Sequence, residues 1–544
     1  MTVTVSETGP TGIDVAVEIG HPSARHRSVT ALLDERAEAA PDAVAASFPA
    51  GEVTYAELRD RTVEVARRLQ AAGIEAGDRV GVLLAEASVD YLSHTLAPLR
   101  LGAVMVPINA RNKALELAHV VEHSGMALLV TEESFESVVA ESGASCRVVT
   151  PGDPAFVEPG RGVPDAELAR IERRVGRDEV AQIIYTSGTT GLPKGCLHTH
   201  ATLLAEGENC ATRLEMTAAD RFWTPLPLFH CGGWQAYLAA LSRGACFSHV
   251  GRFDGARALR QLVDERCTHA FPAFELIWTD VLGQPGFADE DLSALRMVMN
   301  VGPPERMRQM QAKVPHAVQV SSMGSTESCG SICIGGPRDP LESRIATSGA
   351  PLPGAELRVV DTATGEPVTA GGVGELQFRG VTLFAGYYRD ERATRSSLTD
   401  DGWFASGDLV RLEDHGGVAF VSRLKDMLKV GGENVAAGEI EGYLVTHPAI
   451  AQVAVVGAPD ARYGEVPVAY VQVEPGATLD PDDVVAYCLG RIASYKVPRY
   501  VRIVDAFPVT ASQKVQKVTL RQMIADELLA AGIDEAPRLP RTTA

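Results

Sequence analysis

Hydrophobic and polar positions follow two patterns in the N-terminal part of the chain, one typical of helices and one of buried strands. Across residues 55–72, apolar side chains recur every three or four positions, which predicts an amphipathic helix. Thr54 and Glu57 have the spacing of a capping box, and Gly73 marks the end of the helix. Residues 79–84 form a short apolar run of strand length. Such runs alternate with helical stretches to about residue 320, which predicts a parallel sheet covered by helices.

Beyond about residue 349, the pattern changes to short strands separated by Gly, Pro and Asp turns. Residues 356–360 and 375–378 are typical strands, and residues 413–417 have the composition of a hairpin turn. A smaller α+β unit is expected from about Leu424. Its predicted strands are residues 452–456 and 466–473, and its predicted helices are residues 481–491 and 519–530.

These patterns predict an α/β protein with a large N-terminal region of several subdomains and a small α+β C-terminal lobe. The length of 544 residues supports more than one unit, since single hydrophobic cores stop growing near roughly 250–300 residues. We expect parallel-rich sheets covered by helices in the N-terminal region.

Charge and cysteine usage exclude several classes of protein. The chain has 50 Lys and Arg against 70 Asp and Glu, a net charge of −20, which argues against a nucleic-acid or anionic-membrane binder. The sequence contains no run of about 20 apolar residues, so it predicts no membrane span. The first residues do not resemble a secretory signal. Nine scattered cysteines without a CxxC pair are typical of reduced thiols, so we expect a cytoplasmic protein.

The most informative stretch is residues 185–195, where an apolar run leads into a loop rich in Gly and hydroxyl side chains. Backbone N–H groups in such a loop can converge on an anion, and Lys194 adds a positive charge. The spacing differs from a Walker A loop, because Pro193 stands where that motif needs Gly. We therefore predict a polyphosphate-binding loop, with a flexible surface turn as the alternative.

Five motifs in this order resemble those of the adenylate-forming superfamily, and most closely those of AMP-dependent acyl-CoA synthetases. They are residues 185–195 (the phosphate loop), 324–328 (Gly-Ser-Thr-Glu-Ser), 402–408 (ending in Ser-Gly-Asp), 422–434 (the hinge and the loop after it) and 508–517 (the terminal lysine motif). The resemblance covers about residues 28–528. It implies a loose arm at 1–27, an adenylate-forming domain at 28–422, a hinge at 423–426, a mobile lobe at 427–530 and a disordered tail at 531–544.

The resemblance implies that a carboxylic acid reacts with ATP and Mg²⁺ to give acyl-AMP, which then passes its acyl group to coenzyme A. Two anions must meet in the first step, so the chemistry needs positioning and neutralisation of charge. Two alternatives stay open: an adenylate-only enzyme that serves a carrier protein or partner ligase, and a non-catalytic nucleotide-binding relative. The sequence identifies neither the acid nor the oligomeric state.

The resemblance also assigns residues to each role. The expected catalytic residues are Lys514, Glu327, Thr326 and His230, with Glu327 as the metal ligand. The expected ATP-binding residues are Thr186, Ser187, Gly188, Thr189, Thr190, Lys194, Gly302, Pro303, Met323, Gly324, Ser325, Thr326, Asp408, Arg423 and Lys514. The expected acyl-pocket residues are His230, Cys231, Gly232, Trp234, Asn300, Val301 and Ser328. Lys425 is the expected hinge residue, and Lys429, Gly431 and Gly432 are assigned to the thiol step.

Three features bear on how this chain would use the site. Gln513 precedes Lys514 where the family usually has Gly, and since Gln does not easily adopt positive φ, we expect an altered loop path. Met323 stands where the family usually places an aromatic residue against adenine. Gly232 and Gly233 suggest space for a bulky acid, whereas Trp234 either floors the pocket or fills the core.

Overall fold

The computed structural model describes residues 21–186, 193–430, 433–510 and 513–539, without the side chains of Lys425 and Asn434. The α-helices are α1 (Val29–Ala39), α2 (Tyr55–Ala71), α3 (Val89–Arg100), α4 (Ala114–Ser124), α5 (Glu136–Ser142), α6 (Pro154–Gly160), α7 (Asp165–Glu172), α8 (His200–Arg213), α9 (Cys231–Arg243), α10 (Gly255–Asp264), α11 (Glu275–Leu282), α12 (Pro304–Lys313), α13 (Leu341–Ala346), α14 (Glu391–Ser397), α15 (Ala437–Leu444), α16 (Pro481–Cys488) and α17 (Lys517–Ala531).

The strands are β1 (Val44–Phe48), β2 (Gly51–Thr54), β3 (Arg79–Leu83), β4 (Val104–Pro107), β5 (Leu128–Thr131), β6 (Arg147–Val149), β7 (Val180–Thr186), β8 (Lys194–Thr199), β9 (Arg221–Thr224), β10 (Cys246–His249), β11 (His269–Phe274), β12 (Met297–Val301), β13 (Val318–Val320), β14 (Ser322–Ser325), β15 (Gly330–Ile334), β16 (Ala350–Pro351), β17 (Ala355–Val360), β18 (Val373–Gly380), β19 (Phe404–Leu412), β20 (Val418–Arg423), β21 (Met427–Val430), β22 (Glu433–Ala436), β23 (Ile450–Asp460), β24 (Gly464–Val473) and β25 (Tyr500–Ile503). Four 3₁₀ helices in the described ranges span Pro22–Arg25, Glu133–Phe135, Phe287–Asp289 and Leu424–Asp426.

Two large sheets form the first part of the chain, and both are parallel except at one edge. The seven-stranded sheet has the order β13-β12-β11-β9-β10-β1-β2, and only β1 and β2 pair antiparallel. The six-stranded sheet has the order β6-β5-β3-β4-β7-β8, and only β7 and β8 pair antiparallel. The predicted fold class is confirmed, with two parallel-rich sheets.

The predicted helix at 55–72 and strand at 79–84 correspond to α2 and β3. Thr54 accepts a hydrogen bond from the backbone of Glu57, whose carboxylate accepts one from the Thr54 backbone, so the capping box is complete. One buried apolar cluster joins the two sheets, with Ile184 from β7 and Phe247 from β10. Helices α8 and α9 pack against each other in this cluster, which places the start of α9 near the carboxyl ends of the strands.

Two antiparallel sheets carry the next motifs. Strands β14, β15 and β16 form one, and β17, β18, β19 and β20 form the other. The predicted hairpin joins β19 to β20, where the Glu413 N–H donates to the Gly417 carbonyl and the Gly416 N–H donates to the Glu413 carbonyl. The turn between β14 and β15 carries Glu327, and β19 carries Asp408.

The C-terminal lobe has a five-stranded sheet with the order β22-β21-β24-β23, and β25 pairs with β24. Helix α17 packs on β23 through Leu520, Ile524 and Leu528. Both strands and both helices predicted for this lobe are confirmed in type and position.

Parts of the expected arm and tail are packed against the protein. In the segment 21–27, His21 Nε2 lies 3.0 Å from Asn209 Oδ1, and a 3₁₀ helix follows. In the tail, the Ala536 N–H donates to Asp460 Oδ2 at 2.6 Å. The loose arm therefore does not extend to residue 27, and the described tail residues up to 539 contact the lobe. The remaining domain boundaries stay predictions.

Within the described ranges, no helix is both long and apolar enough to cross a membrane. All nine cysteines are free thiols, as expected from their spacing.

Candidate active site

The predicted phosphate loop connects the antiparallel strands β7 and β8. Thr186 is the register partner of Lys194, and Tyr185 is the partner of Gly195, so the two ends of the loop lie side by side. The Thr186 hydroxyl also donates to the Lys194 carbonyl at 3.4 Å. Ser187, Gly188, Thr189 and Thr190 lie outside the described residues, so their assignment to ATP remains a prediction.

Lys194 and Glu327 are connected through Tyr387, which the sequence analysis missed. The Lys194 ammonium lies 4.8 Å from the centre of the Tyr387 ring, a cation–π distance. The Tyr387 hydroxyl donates to Glu327 Oε1 at 2.7 Å. Burial and the Glu327 carboxylate raise the pKa of Tyr387, so the hydroxyl keeps its proton. Tyr387 belongs to no motif, and the aromatic pair at 387–388 is its only signal in the sequence.

Backbone hydrogen bonds hold this group together. The Phe384 N–H donates to the Glu327 carbonyl, and the Tyr388 N–H donates to the Gly195 carbonyl, both at 2.8 Å. The segment around Tyr387 therefore binds both the turn that carries Glu327 and the strand that carries Lys194.

The turn that carries Thr326 and Glu327 is tightly constrained. A Cβ atom on Gly324 would lie 1.8 Å from the Gly330 carbonyl oxygen, so only glycine fits there. The Ser328 hydroxyl donates within the turn to the Ser325 and Gly330 carbonyls, at 3.0 and 2.7 Å. Ser328 is fully buried and bonded inside the turn, so it supports the turn, and its assignment to the acyl pocket stays a prediction.

Asp408 and Arg423 face each other across β19 and β20. Arg423 Nε lies 2.6 Å from Asp408 Oδ1, and the Asp408 side chain is almost fully buried. One apolar cluster contains Met323, Tyr387 and Phe404, and Phe404 begins the strand that carries Asp408. The ion pair therefore lies on a strand that packs beside the turn of Glu327.

His230 caps the N-terminus of α9. Its Nδ1 accepts a hydrogen bond from the Gly232 N–H at 3.2 Å, which places the proton of the neutral ring on Nε2. Burial and the positive charge of Lys514 lower the pKa of His230 to about 4, so the ring is neutral at physiological pH. The neighbouring Cys231 Sγ lies 3.9 Å from the Thr326 hydroxyl.

Lys514 is thus near enough to His230 to influence its charge, although it belongs to the C-terminal lobe. The Lys514 N–H donates to the Thr510 hydroxyl at 3.1 Å, and Gln513 before it has φ of 65°. Arg111 of the N-terminal region donates to the Thr510 carbonyl at 3.1 Å. The lysine loop therefore contacts the N-terminal region through Arg111, and the charge of Lys514 acts on His230, whereas the catalytic role of Lys514 stays a prediction.

Two profiles match the chain. The AMP-binding enzyme profile matches residues 33–388, and the AMP-binding enzyme C-terminal domain matches residues 439–514, ending on Lys514. The chain belongs to the AMP-binding enzyme family.

Relatives of this AMP-binding enzyme agree with the family assignment along nearly the whole chain. A feruloyl-CoA synthase from Amycolatopsis sp is 33% identical over 90% of this chain and 97% of its own length. The mitochondrial medium-chain acyl-CoA ligase ACSF2 of Danio rerio is 30% identical over 92% and 89%. The solved structure of ATP-bound MatB from Rhodopseudomonas palustris is 28% identical, with a TM-score of 0.83 over 92% and 99%. The predictions of an AMP-forming acid–thiol ligase and of this fold are confirmed.

Three residues of this AMP-binding enzyme that were predicted to line the acyl pocket differ in their exposure and contacts. Asn300 is fully buried and its Nδ2 lies 3.3 Å from Met310 Sδ, so its side chain packs against α12. Trp234 is buried against Tyr237, which favours the alternative that it fills the core. Val301 is 37% exposed at the end of β12 and is accessible to a ligand.

The glycines at the start of α9 do not leave space for a bulky acid. A Cβ atom on Gly233 would lie 2.5 Å from the Pro227 carbonyl oxygen, and one on Gly232 would lie 2.6 Å from the Leu226 side chain. They permit close backbone packing, so the expectation of extra space was wrong.

Two further expectations concern Gly302 and Gln513. A Cβ atom on Gly302 would lie 3.2 Å from Glu275 Oε2, so the glycine before Pro303 leaves room for the Glu275 side chain. Gln513 adopts the left-handed conformation that usually favours glycine. The expectation that Gln would avoid positive φ was therefore wrong, and the lysine loop keeps this conformation at some cost in strain.

The residues assigned to the thiol step lie on the lobe. Lys429 is exposed on β21, and its backbone N–H donates to Glu465 Oε2 at 2.9 Å. Gly431 and Gly432 lie outside the described residues, and so does the side chain of Lys425, whose backbone lies in the 3₁₀ helix Leu424–Asp426. The assignments of the hinge and of the thiol step stay predictions.

Proposed function

We propose that this chain activates a small carboxylic acid with ATP and Mg²⁺ as an acyl-adenylate and then transfers the acyl group to coenzyme A. The observation that supports the proposal most is that the positive charge of Lys514, in the lobe, acts on His230. Cys231, next to His230, lies 3.9 Å from the hydroxyl of Thr326, the residue before Glu327. The names of the relatives, a feruloyl-CoA synthase and a medium-chain acyl-CoA ligase, support coenzyme A as the acceptor.

We assign the magnesium ion to Glu327. Mg²⁺ is usually held by one or two carboxylates together with substrate phosphates, and the Glu327 carboxylate with the Thr326 hydroxyl fits this donor set. The hydrogen bond from Tyr387 to Oε1 orients the Glu327 carboxylate, which would hold the ion when it is bound. When bound, the ion would neutralise phosphate charge beside Lys194.

We assign nucleotide recognition to the Asp408–Arg423 pair and to Met323. A carboxylate can accept both ribose hydroxyls, and the bonded Arg423 holds that carboxylate in place. Met323 is buried beside Tyr387, and its polarisable sulfur can pack on the adenine ring.

Charge neutralisation explains the first chemical step. A carboxylate that approaches a phosphate at about 4 Å is repelled by roughly 4 kcal/mol at an effective dielectric near 20. Lys514 supplies the positive charge, and neutral His230 offers its Nε2–H as a hydrogen-bond donor. The carboxylate oxygen then attacks the α-phosphorus, and pyrophosphate leaves.

An acid panel assayed by exchange of labelled pyrophosphate into ATP tests this proposal. We expect exchange that depends on the acid, together with release of AMP and consumption of coenzyme A when the thiol is added. Exchange without coenzyme A consumption would instead support the adenylate-only alternative. The absence of exchange with every acid, despite measurable ATP binding, would contradict the proposed activity.

Replacing Tyr387 with phenylalanine should weaken the response to magnesium. The Tyr387 ring remains beside Lys194, but Glu327 loses its hydrogen bond, which is worth about 1.5–3 kcal/mol to a charged group. We expect the Mg²⁺ concentration for half-maximal exchange to rise about ten- to a hundredfold. The neighbouring Tyr388→Phe is the matched control, and an equal rise in both variants would argue against the role of Tyr387.

Replacing Arg111 with alanine should slow adenylation but not thiol transfer. Arg111 connects the N-terminal region to the lysine loop through one exposed hydrogen bond, worth about 1 kcal/mol. We expect exchange to fall about fivefold, while consumption of supplied acyl-AMP with coenzyme A is unchanged. Arg308→Ala, which removes an exposed arginine paired with Glu305 and Glu342, serves as the control. Equal losses in both half-reactions would contradict a role specific to adenylation.

A further inference from the structure

Two histidines outside every motif contact the ends of the phosphate loop. His119 and His123 lie one turn apart on α4, with their rings stacked at 5.1 Å between centres. His119 Nε2 lies 2.9 Å from the Pro193 carbonyl oxygen. His123 Nδ1 lies 2.9 Å from the Tyr185 hydroxyl.

These contacts fix the two sides of the loop separately. Tyr185 lies at the end of β7, just before the loop, and Pro193 lies just after it, directly before Lys194. A carbonyl oxygen only accepts hydrogen bonds, so His119 must carry a proton on Nε2 and donate it to Pro193. One helix therefore binds both ends of the loop through a stacked pair of rings.

The surroundings of His123 favour a neutral, well-packed ring at that position. Burial, His119 and Arg389 all lower the pKa of His123. Arg389 Nη1 donates to the His123 carbonyl at 3.0 Å, and the Tyr388 ring packs edge-on against His123 at 5.9 Å. The Tyr388 N–H donates to the Gly195 carbonyl, so the packing of Tyr388 on His123 gives the two histidines a second connection to β8.

We propose that His119 and His123 are positioning residues that hold the two ends of the phosphate loop at the spacing needed to bind the β- and γ-phosphates of ATP. This inference rests on the proposed function, because it assumes that the loop binds polyphosphate. We therefore expect the two histidines to affect the binding of ATP but not the binding of AMP, which lacks those phosphates.

The test compares His119→Leu with His119→Gln. Leucine removes the donor to Pro193, whereas glutamine keeps an N–H on a side chain of similar reach. Losing this partly buried hydrogen bond at the end of the loop should weaken ATP binding, measured by calorimetry, about five- to tenfold. AMP binding and the Michaelis constant for the acid should change less than about twofold, and glutamine should restore most of the ATP affinity.

Tyr185→Phe, alone and combined with His123→Leu, tests the other end of the loop. If the two side chains act through their shared hydrogen bond, the double variant should lose no more ATP affinity than either single variant. His316→Leu is the matched control, because His316 Nε2 also contacts a backbone carbonyl, that of Leu292, at 2.9 Å.

Two results would overturn the inference. One is an equal loss of ATP and AMP affinity in His119→Leu, which would indicate a general structural role. The other is unchanged ATP affinity in both His119→Leu and His123→Leu. A protein that binds ATP with this histidine dependence but shows no pyrophosphate exchange would refute the proposed function and leave the positioning role intact.

Discussion

Replacing Lys514 with alanine is expected to slow formation of the acyl-adenylate by about 10²–10³-fold, or roughly 3–4 kcal/mol, the usual loss when one preorganised donor is removed. The lysine lies near His230 although it belongs to the C-terminal lobe, and it is the cation assigned to the α-phosphate and the attacking carboxylate. Pyrophosphate exchange measures this step directly. Transfer from supplied acyl-AMP to coenzyme A should change little, because no new phosphate bond forms in that step.

Lys517→Ala is the control for this prediction. Lys517 Nζ lies 2.6 Å from Glu441 Oε1, within the lobe, so its loss should affect stability modestly and exchange only a few-fold. Intact exchange in Lys514→Ala would refute the assignment of the lysine. Equal losses in both lysine variants would point to a damaged lobe.

Replacing Glu206 with glutamine should raise stability at alkaline pH. Glu206 is fully buried on α8, and its Oε1 accepts the Ser331 N–H at 2.9 Å. Its Oε2 is buried without a hydrogen-bond partner among the described residues. Burial raises the pKa of Glu206 to about 8, so the folded protein keeps a proton that the unfolded chain releases near pH 4.5.

The sign of the pH dependence follows from this raised pKa. The stabilising contribution of Glu206 is complete below about pH 4.5 and is lost as the pH rises through about 8. As the pH rises over that range, the free energy of unfolding of the wild-type protein should fall by about 3–5 kcal/mol relative to that of the glutamine variant. The measurement is the difference in urea midpoint between the two proteins from pH 5 to pH 8.

Glu208→Gln provides a control of opposite sign on the same helix. Glu208 pairs with Arg243 at 2.8 Å, and although burial opposes the shift, this pairing lowers the pKa of Glu208. Its contribution is present above the unfolded pKa and is lost on acidification, so Glu208→Gln should destabilise the protein at neutral pH. If the difference in urea midpoint between Glu206→Gln and the wild-type protein stays constant across the pH range, the raised pKa assigned to Glu206 is wrong.

Local patterns allowed much of the fold to be predicted from the sequence. The capping box at Thr54 and Glu57, the hairpin at 413–417 and the elements of the lobe depend on neighbouring residues, and all are present in the structure. The ion pair between Asp408 and Arg423 was not predicted, although both residues were assigned to the nucleotide. It depends on the register of two strands, which the motifs do not specify.

The errors concern packing and backbone geometry that the sequence motifs do not specify. Gly232 and Gly233 were expected to leave space for a bulky acid, but Leu226 and Pro227 lie where their side chains would be. Tyr387 connects Lys194 to Glu327 only because β7, β8 and the segment near residue 387 come together in the fold. Gln513 adopts positive φ against its intrinsic preference, because tertiary structure overrides a local cost of about 1–2 kcal/mol.

A crystal structure of this protein with ATP and Mg²⁺ would show directly where the nucleotide binds. We expect the ribose hydroxyls to bind Asp408, the metal ion to bind Glu327 and the phosphates to lie beside Lys194. ATP bound away from Asp408 and Glu327, in a protein that shows acid-dependent exchange, would refute the proposed site.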